Sequence, residues 1–147
     1  MNQLPKEVVA FLDGKQLEEK QHTAMHFMTV GKDGFPYKAM LSVGEVLSRG
    51  PSELRIGLWP STTTVENTIR SKQTTLMLVL PPKAYDIQLL IKQVTEVEDL
   101  AILTGNVVHV KVDQAPYAKI KSSVVYELND SEAAISNWEK KLNRLKN

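Results

Sequence analysis

The residues best suited to chemistry lie in one stretch, LRIGLWPSTTTVEN, where a strand-like segment ending in Trp59-Pro60 runs into four successive hydroxyl residues, Ser61, Thr62, Thr63 and Thr64. Hydroxyls at the start of a helix gather free backbone N–H groups, side-chain donors and the positive end of the helix dipole around one point. Such a point suits an anion, and phosphate is the natural one. The amide of Asn67, one turn later, adds a donor, and Gly57 in the preceding strand would let a flat ligand approach the backbone. The plainer reading is a helix cap, which needs one such side chain rather than four.

Other reactive patterns are missing. The chain has no Gly-x-Ser-x-Gly elbow, no Gly-x-Gly-x-x-Gly loop and no Gly-Lys-Ser/Thr phosphate loop. His22 and His26 would share a face on a helix, but TAMHFMTV reads as strand and spaces them about 13 Å apart. That is too far for one metal, and none is expected. His109, in VVHVKV, has no acid or base at a recognisable spacing and reads as an exposed strand residue.

Positioning these residues requires a framework of strands. Leu4, Val8, Phe11 and Leu12 fall at helical spacing behind Pro5, with Asp13-Gly14 as the stop signal. Two β-branched and aromatic runs, residues 23–30 and 35–47, flank Asp33-Gly34, the strongest hairpin signal in the chain. Leu54, Ile56 and Leu58 alternate as a half-buried strand. Thr63 and Glu66 then have capping-box spacing, Val65 and Ile69 share a helix face, and this helix should end near Ser71-Lys72. Residues 74–80 (TTLMLVL) are apolar on both alternating faces and read as a central strand covered on both sides.

Pro81-Pro82-Lys83 turns the chain into two further alternating stretches, around Ile87, Leu89 and Ile91 and over residues 100–112, with a bend or bulge expected at Gly105-Asn106. A further strand is expected within residues 117–128, clearest at Val124-Val125-Tyr126. Behind Asn129-Asp130-Ser131, the side chains of Ile135, Trp138, Leu142 and Leu145 form one face of a closing helix. That face could cover the barrel or meet a partner. The whole reads as mainly β with short helices, a small antiparallel barrel of six strands in a single domain spanning residues 1–147.

Composition narrows the function classes. The 147 residues include 18 Lys+Arg against 17 Asp+Glu, a net charge of +1, which argues against nucleic-acid binding through a broad basic surface and against a polybasic membrane anchor. The absence of cysteine removes thiol nucleophiles and thiolate metal sites. No basic segment followed by a long apolar run opens the chain, so a cytoplasmic protein is expected.

In order along the chain, the hairpin MTVGKDGFPYKAML, the strand and turn LRIGLWPSTTTVENTI, the strand TTLMLVL and the late segment VDQAPYAKIKSSVVYEL resemble the pyridoxamine 5'-phosphate oxidase-like, FMN-binding split-barrel family over residues 4–138. The resemblance implies a six-stranded antiparallel split β-barrel that forms a homodimer, with FMN in two grooves at the subunit interface. It places the cofactor against Lys38, Ala39 and Met40 on the second strand. The turn contributes Trp59, Pro60, Ser61, Thr62, Thr63 and Thr64, with Asn67. Lys38 would neutralise the phosphate, and Met28 and Thr29 would meet the edge of the isoalloxazine.

Two departures stand out. Authentic pyridoxamine-phosphate oxidases carry a Ser-Arg-Lys type sequence in the turn, where this chain has Thr63-Thr64-Val65, and they end in an arginine-containing substrate segment, where this chain ends in SEAAISNWEKKLNRLKN. Vitamin B6 oxidation is therefore not expected. The resemblance implies instead an FMN-dependent oxidoreductase acting on a small molecule, with NAD(P)H as a candidate electron donor, no nucleic acid and no membrane. The alternative is a non-catalytic split-barrel module that stores or senses a flavin or another small ligand.

Overall fold

The structure, a computed structural model, describes residues 1–147. Two short helices, α1 (Lys6–Phe11) and α2 (Leu17–Lys20), precede the strands β1 (Thr23–Val30), β2 (Pro36–Leu41), β3 (Val46–Ser48) and β4 (Glu53–Leu58). Helix α3 (Thr63–Ser71) leads into β5 (Gln73–Leu80), β6 (Lys83–Val97) and β7 (Leu100–Asp113), and after a two-residue strand β8 (Val124–Val125) the chain ends in α4 (Ser131–Leu145).

All pairings are antiparallel, in the order β2-β1-β5-β6-β7-β4-β3, with β8 alongside β1. This single sheet curls into a half-barrel, the split-barrel fold, with seven strands along its path rather than the expected six. The extra strand arises because the apolar run 35–47 is cut in two. The Ser42 backbone N–H and hydroxyl both donate to Glu45 Oε1, at 2.8 and 3.0 Å, and close a turn between β2 and β3.

The β1–β2 hairpin forms as expected around Asp33-Gly34, with Gly34 at φ +83°. Several details differ. Helix α3 is capped by Thr62, whose hydroxyl accepts from the Val65 N–H at 3.3 Å, not by Thr63. Its inner face carries Thr64, Val65, Asn67 and Thr68, while Ile69 is exposed. Strand β5 is buried only at alternate positions, since Thr75 and Met77 lie on a face that no helix covers. The β6–β7 irregularities fall at Lys92 and Val108, either side of Gly105-Asn106; at Gly105 itself a Cβ would come within 3.0 Å of Ile91 Cδ1. The strand expected within residues 117–128 shrinks to Val124–Val125.

The core fills the concave side of the sheet with Phe27, Leu41, Ile56, Leu76, Ile87 and Leu103. Burial of such side chains is the dominant stabilising term, each contributing about 1.5–3 kcal/mol. Helix α1 is tied across it by Val8 and by the Tyr85 hydroxyl, which donates to Glu7 Oε2 at 2.6 Å.

Helix α4 starts on an Asp130 cap that accepts from the Ala133 N–H at 3.1 Å. It buries Trp138, Leu142 and Leu145 against its own chain, which settles in favour of intramolecular packing the choice the sequence left open. Its C-terminal carbonyls are held by two arginines, Arg49 in the turn after β3 donating to Lys146 O and Arg55 Nη1 on β4 donating to Leu145 O at 3.0 Å. No helix is long and apolar enough to cross a membrane.

Candidate functional site

Helix α3 is fastened to the end of β1. Asn67 Nδ2 donates to Thr29 Oγ1 at 3.1 Å, Asn67 Oδ1 accepts from Arg70 Nη2 at 3.0 Å, and Arg70 also donates to the Val30 carbonyl. Thr64 and Asn67 are buried within this joint. The Asn67 amide therefore braces the joint while also lining a cleft between the β1–β2 turn and the start of α3, and the Thr64 side chain is buried. What remains at the helix start are the exposed Ser61 and Thr63, the Thr62 cap, and the N–H groups of Thr63 and Thr64, which a helix leaves without internal partners. Ser61 sits at φ +63°, a conformation that a side chain other than glycine or asparagine adopts at a cost.

The rest of the expected set scatters. Trp59 is 74% exposed and Pro60 half-buried. Across the hairpin Lys38 pairs with Met28 and Met40 with His26, whereas Ala39 pairs with Phe27. Lys38, Met40 and Met28 thus share the outer face of the sheet, and Ala39 faces the opposite side. Lys38 is exposed and makes no ion pair. Burial, and then the nearby Lys38 ammonium, hold the His26 imidazole below the usual histidine range. Gly57 does not receive a ligand, because the space beside it is filled by Leu145, Leu100 and Lys141 at 3.1–3.3 Å from where its Cβ would be.

The largest cavity lies on the outer face, a groove of about 550 Å³. Strand register lines up Lys38, Met28, Thr75, Gln88 and His109 in one row across five strands, and the middle of that row forms the groove floor. Met28, Val30, Leu90 and Val108 supply apolar walls; Gln73, Thr75 and Gln88 supply amides and a hydroxyl; no charged side chain lines it. Its size and mixture of apolar walls with a few polar groups are those of a small-molecule site.

At Pro36 the groove meets a second cleft, of about 330 Å³, between the β1–β2 turn and the start of α3. Lys32, Asp33, Tyr37, Thr63, Glu66 and Asn67 line it, with Phe35. Sequence reasoning missed Gln73, Gln88, Asp33 and Glu66; their only local signal is a polar residue in a strand, a turn or a helix start, and the pairing that gathers them is non-local.

Thr74 Oγ1 is a buried hydroxyl with no hydrogen-bond partner. Strand alternation puts it on the interior side with Leu76 and Leu78, at a point where Thr74 also borders the groove.

No family model matches the chain. It is 33% identical to the uncharacterised protein YclD of Bacillus subtilis, over 99% of this chain and 97% of that one. Among solved structures it superposes on a proposed pyridoxamine 5'-phosphate oxidase of Lactobacillus delbrueckii (TM-score 0.59, 20% identity, 76% of this chain and 95% of that one). It also superposes on an FMN-binding protein of Syntrophomonas wolfei (0.55, 12%, 75% and 94%) and on the flavin reductase of the Pseudomonas putida styrene monooxygenase (0.53, 11%, 65% and 82%). The chain belongs to the family of YclD and has the split-barrel fold of the pyridoxamine 5'-phosphate oxidase-like proteins.

Proposed function

We propose that this chain is an FMN-binding oxidoreductase that acts on a small molecule as a homodimer. The observation that carries the proposal is the uncharged groove on the open sheet face, which shares Pro36 with the cleft beside the α3 start. Flavin-sized occupants suit this shape, and structural neighbours include an FMN-binding protein and flavin reductases. A bound flavin would supply hydride and electron transfer. The chain's own contribution is to exclude water from the ring with Met28, Val30, Leu90 and Val108. Gln73, Thr75 and Gln88 offer hydrogen bonds to its polar edge, while Ser61, Thr62 and Thr63 with the α3 amides meet the tail. Trp59, Pro60 and Lys38 remain part of the proposed surround. A second subunit is supported by the same face, where Val30, Met40, Leu90 and Val108 are all exposed in a single chain.

The test is titration of the purified protein with FMN, followed by flavin fluorescence and by sedimentation. The expected result is quenching and a dimer; a protein that leaves FMN fluorescence untouched refutes the proposal. A second reading, a flavin store or sensor, is favoured by the absence of any titratable side chain lining the groove. Addition of NADH or NADPH separates the two, because a store leaves its flavin oxidised.

A further inference from the structure

We infer that the site selects a flavin by its ring and by a neutral, hydroxyl-bearing tail, so that riboflavin binds about as tightly as FMN. The inference rests on the flavin reading above and concerns the end of the ligand away from the ring. That end would lie in the cleft between the β1–β2 turn and α3, where the titratable side chains with charge are Lys32, Asp33 and Glu66. Two carboxylates against one ammonium make the cleft net negative.

The neighbouring cations do not reverse that balance. Arg70 is turned away, its guanidinium held by the Val30 carbonyl and Asn67 Oδ1, and no ion pair joins it to Glu66. Lys38 stands beside Met28 on the sheet face and lines neither the groove nor the cleft. The Asn67 amide, which lines the cleft from the second turn of α3, gives one of its two N–H groups to Thr29 and its oxygen to Arg70, so at most one neutral N–H remains for an anion. Tight phosphate sites rely on charge-assisted hydrogen bonds from arginine or lysine. Here a phosphate dianion would find two backbone N–H groups, one N–H of Asn67 and two or three hydroxyls, none of them charged, and would face Glu66 in the first turn of the same helix.

The same inventory suits a polyhydroxyl chain. A carboxylate accepts hydrogen bonds and donates none, so Glu66, and the Asp33 oxygen not engaged by the Phe35 N–H, offer acceptors to sugar-type hydroxyls. The hydroxyls of Thr63 and Tyr37 can serve as donor or acceptor. The phosphate then adds little, because each exposed charge changes binding by about two- to fivefold, and here the signs nearly cancel.

The experiment titrates the full-length protein with riboflavin and with FMN, reading fluorescence quenching at about 50 mM and about 500 mM NaCl, below and above physiological screening. The two dissociation constants should agree within about threefold, and added salt should tighten FMN while leaving riboflavin unchanged, since it screens a net repulsion. Glu66→Gln should tighten FMN relative to riboflavin by about two- to fivefold, and Lys32→Gln should weaken FMN relative to riboflavin by a similar factor. The riboflavin titration doubles as the check that each variant is folded. FMN binding more than about tenfold tighter than riboflavin, FMN binding weakened by salt, or no effect of Glu66→Gln overturns the inference and leaves the flavin reading standing. If the wild-type protein binds neither flavin, the flavin reading itself fails, and the inference falls with it.

Discussion

Two stretches of one sheet meet opposite fates. Along β3 and β4 the outer face is sealed by α4, whereas along β2, β1, β5 and β6 no helix covers it and a groove runs across it. The sealed side is marked by glycine. A Cβ on Gly44 would lie 1.9 Å from Trp138 Cγ, and one on Gly57 would press on Leu145, so both residues are absences of side chain into which the helix fits. The open side is marked by Met28, Met77, Thr75 and Gln88, side chains tolerable in water yet able to pack against an occupant. What separates a wall of the fold from a binding face is therefore whether the chain carries its own cover for that part of the sheet.

The contrast can be broken most severely on the sealed side. Trp138→Ala should lower stability by about 3–5 kcal/mol and Gly44→Ala by about 1–3 kcal/mol. Urea denaturation reads both, and the double variant should cost less than the sum because Trp138→Ala removes the ring that the Cβ added at position 44 would strike. On the open side, Thr75→Trp should leave stability within about 0.5 kcal/mol while blocking the groove and weakening flavin binding more than about tenfold. A loss of stability like that of Gly44→Ala would show that the open face is a covered core.

A smaller effect is expected where α1 crosses the core. Tyr85→Phe should cost about 1 kcal/mol. It should also change the pH profile. The Tyr85 hydroxyl, as the largest influence, holds the Glu7 carboxyl below the usual glutamate range. Its stabilising contribution is present above the ordinary glutamate pKa and is lost as pH falls through the lowered native value. The Tyr85 hydroxyl is itself pushed up to about 12 by burial and then by Glu7. That part is present below the ordinary tyrosine pKa, near 10, and is lost as pH rises from there towards about 12. The variant should flatten both limbs of a stability–pH curve. The smallest effect should be a gain: Thr74→Val removes the unpartnered interior hydroxyl and should raise stability by about 0.5–1 kcal/mol. A loss on thermal unfolding would mean that this hydroxyl has a partner.

Local signals were legible wherever the governing physics is local. Asp33-Gly34 announced its hairpin, Pro5 and Asp13 bracketed the first helix, and the face of Trp138, Leu142 and Leu145 announced α4. The split of residues 35–47 into β2 and β3 was hidden, because Ser42 and Glu45 close that turn through side-chain hydrogen bonds that no apolar pattern reports. The hydroxyl run was read as four ligand donors, yet one is the cap and another lies buried in the joint. The helix angle at which α3 meets β1 decides which hydroxyl faces where, and that angle is set by Asn67, Thr29 and Arg70 together. Gly57 was likewise read as room for a ligand when the occupant was Leu145, 88 positions along the chain.

By itself the sequence determined the element types, the antiparallel β class, the family likeness and the thiol-free character of any site, because propensity, capping and alternation act over a few residues and composition is fixed by the chain. Only the tertiary structure decided which strands are neighbours, and so which residues line the groove. Met28, Thr75 and Gln88 become one floor through cross-strand register between segments far apart in the chain. That structure also decided which face α4 covers, since a helix with one apolar stripe can be buried wherever glycines leave it space.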